Sequence, residues 1–219
     1  SRGYHIHIHG SPPCQALSNA STRSAEEGMP LVLWYLDLVK KCEPDSWSME
    51  NVVPVRKKLP EGIPSVVLCS ADFGVPQTRR RCYAGEGWAA CPSHTKEEWV
   101  SVIEALPDLA GELTLDNIMV NTAGGGASES PRLATQDSEI AIPCKTIHNN
   151  TPSLRDTTDK PVKIRSLTLP ETLILQGFNP DYDLSAARTM KSRWTMVGNA
   201  VPPPVAEAVI RGIANAEAN

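Results

Sequence analysis

Polar and apolar residues alternate with period two from Tyr4 to His9, which predicts a strand. The alternation stops at Gly10-Ser11-Pro12-Pro13. Proline brings no N–H to a ladder and fixes φ, so Cys14 is expected on a stiff loop at the end of that strand. The spacing turns helical from Pro30, with Leu31, Trp34, Tyr35, Leu38, Val39 and Cys42 on one stripe. Lys40 and Lys41 suit the C-terminal end of that helix, and Glu43-Pro44-Asp45 ends it. Ser46 to Glu50 reads as a second strand closing on Met49-Glu50-Asn51-Val52. Strand, helix, strand in that order predicts a parallel α/β unit, with Cys14 and Glu50 at the same edge of neighbouring or near-neighbouring strands. Open α/β sheets bind their ligands at such an edge.

Further along, Ser18 to Glu27 is small and polar and reads as a loop. Ser65 to Ala71 is β-rich, Asp72 to Pro76 turns the chain, and Gln77 to Gly85 leads into another short strand. Thr95 with Glu98 forms a capping box that predicts a helix through Trp99, Val102, Ile103 and Leu106. Periodicity is poor from Ala110 to about Lys160, where a small, loop-rich domain with a few short strands is expected. Gly124-Gly125-Gly126 lies there without the strand-to-helix frame of a phosphate loop, and reads as a flexible loop. Thr168 with Glu171 is another capping box, for a short helix through Leu173, Ile174 and Leu175 that Gly177 stops. After Pro202-Pro203-Pro204 a last helix carries Val205, Val209 and Ile213 on one stripe.

The 219 residues are 41% hydrophobic and 21% charged, the balance of a globular protein. No apolar run is long enough to span a bilayer, and Ser1 onward lacks the charged-then-apolar pattern of a signal peptide. Six cysteines without CxxC pairing argue for a reducing compartment and against a zinc ribbon or a disulfide scaffold. A net charge of -4 counts mildly against a nucleic-acid partner, so local clusters carry that question: Arg56-Lys57-Lys58, Arg79-Arg80-Arg81, and the looser Lys160, Lys163 and Arg165. His5, His7 and His9 share one strand face. With no carboxylate spaced to complete a metal site, they read as packed or hydrogen-bonded side chains beside an active site, and a metal hydrolase is the remotest alternative. On its own loop, Cys14 reads equally well as a nucleophile or as a buried structural cysteine.

Four stretches decide between these readings: Pro12-Pro13-Cys14-Gln15, Glu50-Asn51-Val52, Gln77-Thr78-Arg79-Arg80-Arg81, and Gly198-Asn199-Ala200-Val201-Pro202-Pro203. In this order they resemble the DNA (cytosine-5) methyltransferases. Arg165-Ser166-Leu167-Thr168 with Glu171 and Gln176-Gly177-Phe178 resembles the segment before that family's last motif. The resemblance covers most of the chain and is weak only between about Ala110 and Lys160, the family's variable target-recognition region. It implies an α/β methyltransferase (Rossmann-like) sheet, N-terminally incomplete, with a small target-recognition domain. The implied division is 1–110 for the partial catalytic domain, 111–164 for recognition, 165–190 for a hinge segment, and 191–219 for a final motif and helix returning to the catalytic domain.

The resemblance also implies the chemistry. Cys14 is the nucleophile that adds to C6 of a flipped-out cytosine, Glu50 the acid at N3, and Arg79 and Arg81 guanidinium partners of O2 and the flanking phosphates. Arg80 would point away. Gln15, Ser18, Gln77, Arg79, Arg81 and Arg165 are the implied contacts to double-stranded DNA, and the loop from Ser18 to Glu27 the segment that closes over the flipped base. Pro12, Asn199, Ala200 and Val201 are the implied contacts to S-adenosyl-L-methionine. The family's Gly-rich cofactor loop and ribose-binding acid lie before the Pro-Cys loop, and here only thirteen residues precede Cys14, none fitting. The expectation is a pocket completed by a missing N-terminal segment or a second polypeptide, and no measurable cofactor binding by the 219 residues alone. In order, the accounts are a piece of a longer enzyme, one subunit of a split enzyme, and an inactive DNA-binding relative. A tRNA cytosine-5 methyltransferase of the same family is a further alternative.

Overall fold

The computed structural model describes residues 4–13, 29–109, 118–121, 144–145, 147, 152–156 and 162–217. In chain order the elements are β1 (His7–Gly10), α1 (Met29–Cys42), β2 (Ser46–Asn51), β3 (Ser65–Cys69), β4 (Gln77–Thr78), β5 (Arg80–Glu86), α2 (Val102–Ala105) and β6 (Ile118–Asn121). They continue with β7 (Cys144–Lys145), β8 (Ser153–Asp156), β9 (Val162–Ser166), α3 (Leu169–Leu175), α4 (Met190–Asn199) and α5 (Pro203–Glu217). Short 3-10 turns cover Val53–Lys58, Ser70–Phe73 and Lys96–Glu98. The chain forms two compact units. The first contains Ser1–Cys69, Arg80–Cys91 and Glu207–Asn219, and the second Ser70–Arg79 and Pro92–Ala206. These units do not follow the four segments read from the motifs, since 92–109 groups with the second unit and α5 runs from one unit into the other.

The first unit holds a four-stranded mixed sheet in the order β1-β2-β5-β3. β1 and β2 are parallel, in the register His7↔Ser46 to Gly10↔Met49, as the strand-helix-strand order predicts. β5 runs antiparallel to both β2 and β3. Every residue of β2 is buried. Trp47 and Met49 on one face pack with Val32, Tyr35 and Val39 of α1 and with Ala84 of β5. The apolar line of α1 differs from the expected stripe: Val32, Tyr35 and Val39 are buried, whereas Leu31 is 46% and Trp34 61% exposed. The i, i+3, i+7 line through Val32 meets the sheet and leaves Leu31 and Trp34 on neighbouring faces. Tyr35 also ties the two parallel strands, its hydroxyl donating to the carbonyls of Ile8 (3.1 Å) and Ser48 (2.9 Å). Burial pushes this hydroxyl up to about 12. A Cβ on Gly10 would lie 2.2 Å from the Tyr35 ring, so only glycine lets the ring cover the end of β1.

The second unit contains an antiparallel sheet, β6-β8-β9, and the parallel pair β4-β7. Its core includes Val102, Leu106, Leu109, Val120, Cys144, Ile147, Leu154, Leu167 and Leu175. The capping box at Thr95 closes only the 3-10 turn Lys96–Glu98 rather than the expected helix. Trp99 is extended there, its indole N–H donating to Asp72 (2.9 Å), and Ser101 with Glu104 supplies a second box that starts α2. The box at Thr168 opens α3 as predicted, and Gly177 stops it at φ 84, a conformation that favours glycine. α4 has no clear apolar stripe in the sequence. It is capped by Thr189, which accepts from the N–H of Ser192 (3.1 Å), and it buries Trp194, Val197 and Gly198. The predicted stripe of α5 is buried at Val205, Val209 and Ile213. The Ser18–Glu27 loop and the Gly124–Gly126 run lie outside the described residues.

Candidate active site

The polar face of β2 carries Ser46, Ser48 and Glu50, all buried. Period two puts them on one side, opposite Trp47 and Met49. Glu50 sits at the C-terminal end of the strand, where the chain leaves β1 through Ser11 and Pro12. Among the described residues, two groups reach its carboxylate. The Ser11 hydroxyl donates to Oε2 (2.6 Å), and Arg81 Nε approaches Oε1 at 3.2 Å. Arg81 can do so because Glu50 pairs with Tyr83 on β5, and Arg81 lies two residues from Tyr83 on the same face. Both side chains are largely removed from water, 7% exposed for Glu50 and 18% for Arg81. Next in the chain, Asn51 donates through Nδ2 to the carbonyl of Pro12 (3.1 Å) and accepts from the N–H of Val52 (2.9 Å). The Ser11-Pro12 loop is thus held on the end of β2 by one hydrogen bond to each of two consecutive residues. Pro13 follows, and the next residue in the sequence is Cys14.

His5, just before β1, and His7 and His9 of β1 complete the polar face. His5 Nε2 and His7 Nδ1 both meet the hydroxyl of Ser46, each at 2.7 Å. His7 Nε2 and His9 Nδ1 meet the hydroxyl of Ser48 at 2.9 and 2.8 Å. Each hydroxyl bridges two rings, so the row is a zigzag of imidazoles and serines rather than a ligand set. Burial holds His7 below the ordinary imidazole value, helped by the charges of His9 and His5. Burial does the same for His9, opposed by the negative charge of Glu50. Among the described residues, no group of three or more His, Cys, Asp or Glu is placed to hold a metal ion.

The remaining expected residues have the following places. Arg79 is 3% exposed. Its Nη1 donates to the carbonyl of Ile147 (3.0 Å) in the second unit. The expected strand is broken at Arg79, between β4 and β5, so it does not alternate with Arg81 along one strand. Arg80 is exposed. Gln77 is fully buried, its amide bonded to Gln176, Leu175 and Ile147. Arg165 forms a two-armed pair with Glu171, Nη2–Oε1 2.7 Å and Nη1–Oε2 3.0 Å. Burial pushes the Glu171 carboxyl up, but Arg165 and the Thr168 cap outweigh it and the net shift is downward. Asn199 ends α4 with its side chain exposed, and the carbonyl of Ala200 accepts from Gln176 Nε2 (2.9 Å). Val201 and Pro12 are half-buried. Cys14, Gln15 and Ser18 lie outside the described residues. Sequence reasoning quoted Ser11 and Gln176 without giving either a role. The signal for Ser11 was its place on the same period-two face as His5, His7 and His9.

A family model for C-5 cytosine-specific DNA methylases matches residues 92–215. The chain is 24% identical over 239 residues to the Type II methyltransferase M.AplI of Arthrospira platensis, covering 94% of this chain and 67% of that protein. It is 28% identical over 256 residues to the Type II methyltransferase M1.HphI of Haemophilus parahaemolyticus, covering 96% and 68%. The fold is similar to that of the S. pombe Dnmt2 methyltransferase, with TM-score 0.59 and 14% identity over 97% of this chain and 78% of that one. It is also similar to the Entamoeba histolytica methyltransferase EhMeth, with TM-score 0.53 and 14% identity over 95% and 77%.

Proposed function

The chain belongs to the C-5 cytosine-specific DNA methylase family, and on that premise we propose that it methylates cytosine through a covalent adduct between Cys14 and C6 of a base turned out of the duplex. The observation that carries this reading is the Ser11-Pro12 loop held on Glu50 and Asn51. It supports a site in which the residues around Cys14 and a buried acid act on one ring. Cytosine C5 is a weak nucleophile. Addition of the Cys14 thiolate to C6 moves the C5=C6 electron pair toward the ring nitrogens and makes C5 enamine-like. Glu50 takes up a proton as the base enters the site and delivers it to N3, where negative charge develops. Arg81, anchored on Glu50, offers its guanidinium to O2. Loss of the C5 proton after methylation breaks the Sγ–C6 bond and returns Cys14 as thiolate. The target must leave the base stack, because C5 and C6 are covered by neighbouring pairs in a duplex.

S-adenosylmethionine, the methyl donor of the family, supplies an electrophilic methyl group. Asn199 offers an exposed amide at the end of α4 and Val201 follows in the same turn, while Ala200 between them has its N–H on α4 and its carbonyl on Gln176 and is proposed as a contact through its methyl group. That donor set fits a polar edge of the cofactor, with Pro12 proposed as a further contact. For DNA, Arg81 is proposed to face the target base, and Gln15, Ser18 and Arg165 to contact the duplex. Gln77 and Arg79 are enclosed, and their proposed part is to hold the recognition segment around Ile147. The Type II names of the two curated relatives support a place in restriction-modification.

The test is covalent capture. DNA carrying 5-fluorocytosine at the target should trap the full-length enzyme with cofactor, because fluorine at C5 cannot leave as a proton. Peptide mapping should find the adduct on Cys14, and Cys14→Ser should abolish both capture and turnover while DNA binding persists. An adduct on another cysteine would remove Cys14 from the reaction.

A further inference from the structure

Gln77 and Gln176 are both fully buried and form one directed chain of amides in the second unit. The N–H of Ile147 donates to Gln77 Oε1 at 2.8 Å. Gln77 Nε2 donates to Gln176 Oε1 (2.6 Å) and to the carbonyl of Leu175 (3.2 Å). Gln176 Nε2 donates to the carbonyl of Ala200 at 2.9 Å. The ends dictate the direction. Ala200 presents only an acceptor, so Gln176 must turn its NH2 there and its oxygen toward Gln77. Ile147 presents a donor, so Gln77 must turn its oxygen there and its NH2 toward Gln176. The carbonyl of Ile147 is held as well, by Arg79. Four segments distant in sequence meet through these two side chains: β4 with Gln77, Ile147 beyond the end of β7, the end of α3, and the Asn199–Val201 turn.

We propose that Gln176 is a positioning residue that sets the Asn199–Val201 turn for the cofactor, with Gln77 fixing its orientation from the Ile147 side. The proposal rests on the reading of Asn199, Ala200 and Val201 as cofactor contacts. A buried amide with partners at both ends holds its neighbours in one arrangement, because any other leaves a polar group without a partner away from water. Among the described residues, the turn's other backbone hydrogen bonds are those of the Ala200 N–H, which closes α4 on Met196 and Val197, and Pro202 follows directly after Val201. The carbonyl of Ala200 is therefore the handle by which the core of the unit orients the turn.

The variant that separates the two ends is Gln176→Glu in the full-length enzyme. Its carboxylate can still accept from Gln77 but sets an oxygen against the carbonyl of Ala200. The expected result is a cofactor KM raised about tenfold or more, the scale of one buried unsatisfied group, with the DNA KM within twofold of the parent. Lowering the pH should bring the cofactor KM back, since a protonated carboxyl donates to Ala200 as the amide does. Asn199→Ala is measured alongside. If it leaves the cofactor KM unchanged, the cofactor reading of the turn fails and the inference with it. If it raises the cofactor KM while Gln176→Glu does not, the inference alone is overturned. Equal rises in both KM values for Gln176→Glu would also overturn it. Should that variant not fold, Gln176→Met reads the same split without a charge, and loss of cooperative unfolding in both would make the pair purely structural and overturn the proposal.

Discussion

Glu50 accepts a hydroxyl on one oxygen and a guanidinium on the other, and both partners come from different strands or loops. A carboxylate held this way is pointed as well as buried, which suits an acid that must meet one ring nitrogen. Glu50→Gln keeps the size and removes the transferable proton. Turnover should fall by roughly 10²–10⁴-fold, the range of general acid–base groups, with DNA affinity little changed. Single-turnover kinetics checks this, and a near-normal rate would take Glu50 out of the chemistry. Arg81→Ala acts on stability as well as on the proposed contact to O2. Among the described residues it leaves the buried Glu50 carboxylate with Ser11 as its hydrogen-bond partner, and removing one member of such a pair costs about 3–5 kcal/mol. Denaturant unfolding should show that loss, and Glu50→Gln made in the same background should recover part of it. Glu50 was singled out in the sequence only through the order of four stretches, because Glu50-Asn51-Val52 carries little by itself. The role of Ser11 was not, because it depends on a contact across 39 residues that only the parallel pairing of β1 and β2 creates.

At the scale of the element, β1 and β2 share one polar face, and its histidines make their pairing sensitive to pH. His7 and His9 titrate below 6.5 when folded, chiefly because burial disfavours the imidazolium. Above that pH both folded and unfolded chains hold the rings neutral, and no stability depends on them. As pH falls below 6.5 the unfolded chain takes up protons first, so stability drops until the lowered folded values are reached. Among the described residues, the charges that act on the row are those of its own histidines and of Glu50, whose negative charge tempers the effect at His9. Carboxylates with lowered values, such as Glu171, act only below their ordinary 4.5 and leave this window clear. Denaturant midpoints should therefore decline as the pH falls from 6.5 to 5.5, and His7→Gln should flatten that decline; an unchanged slope would show the row is not titrating. Gly10→Ala tests the same pairing from its other face. Its Cβ would stand 2.2 Å from the Tyr35 ring, and overpacking of this kind costs about 1–3 kcal/mol. The parallel unit itself was legible because period two, period 3.6 and the prolines all sit in one contiguous stretch. The stripe of α1 was read rightly at Tyr35 and Val39 but took Leu31 and Trp34 in place of Val32, because all three are apolar and only the packing against Trp47 and Met49 selects the buried line.

The whole molecule carries a net charge of -4, so its overall field does not attract DNA. Attraction must come from local patches, and two of the sequence's basic clusters turn out to be partly engaged. Arg79 is enclosed on Ile147, and Arg165 is paired with Glu171. These partners were not legible, because they are set by tertiary contacts and not by charge pattern. Arg56-Lys57-Lys58 differs. All three are exposed on the 3-10 turn that follows Asn51 and Val52, while Val55 in the same turn is completely buried and anchors it. The cluster is thus a fixed positive patch that begins a few residues beyond Glu50 in the chain. Each lysine that neutralises a phosphate contributes about 0.9 to the slope of log affinity against log salt on duplex DNA. Replacing Lys57 and Lys58 together by glutamine should therefore lower that slope by roughly 2 and weaken binding most at low salt. It should leave turnover at saturating DNA and the unfolding midpoint near those of the parent, because neither side chain is buried. Fluorescence anisotropy titrations at several salt concentrations measure the slope. An unchanged slope would mean that this patch faces away from the duplex, and that phosphate contacts on this acidic protein come from other residues.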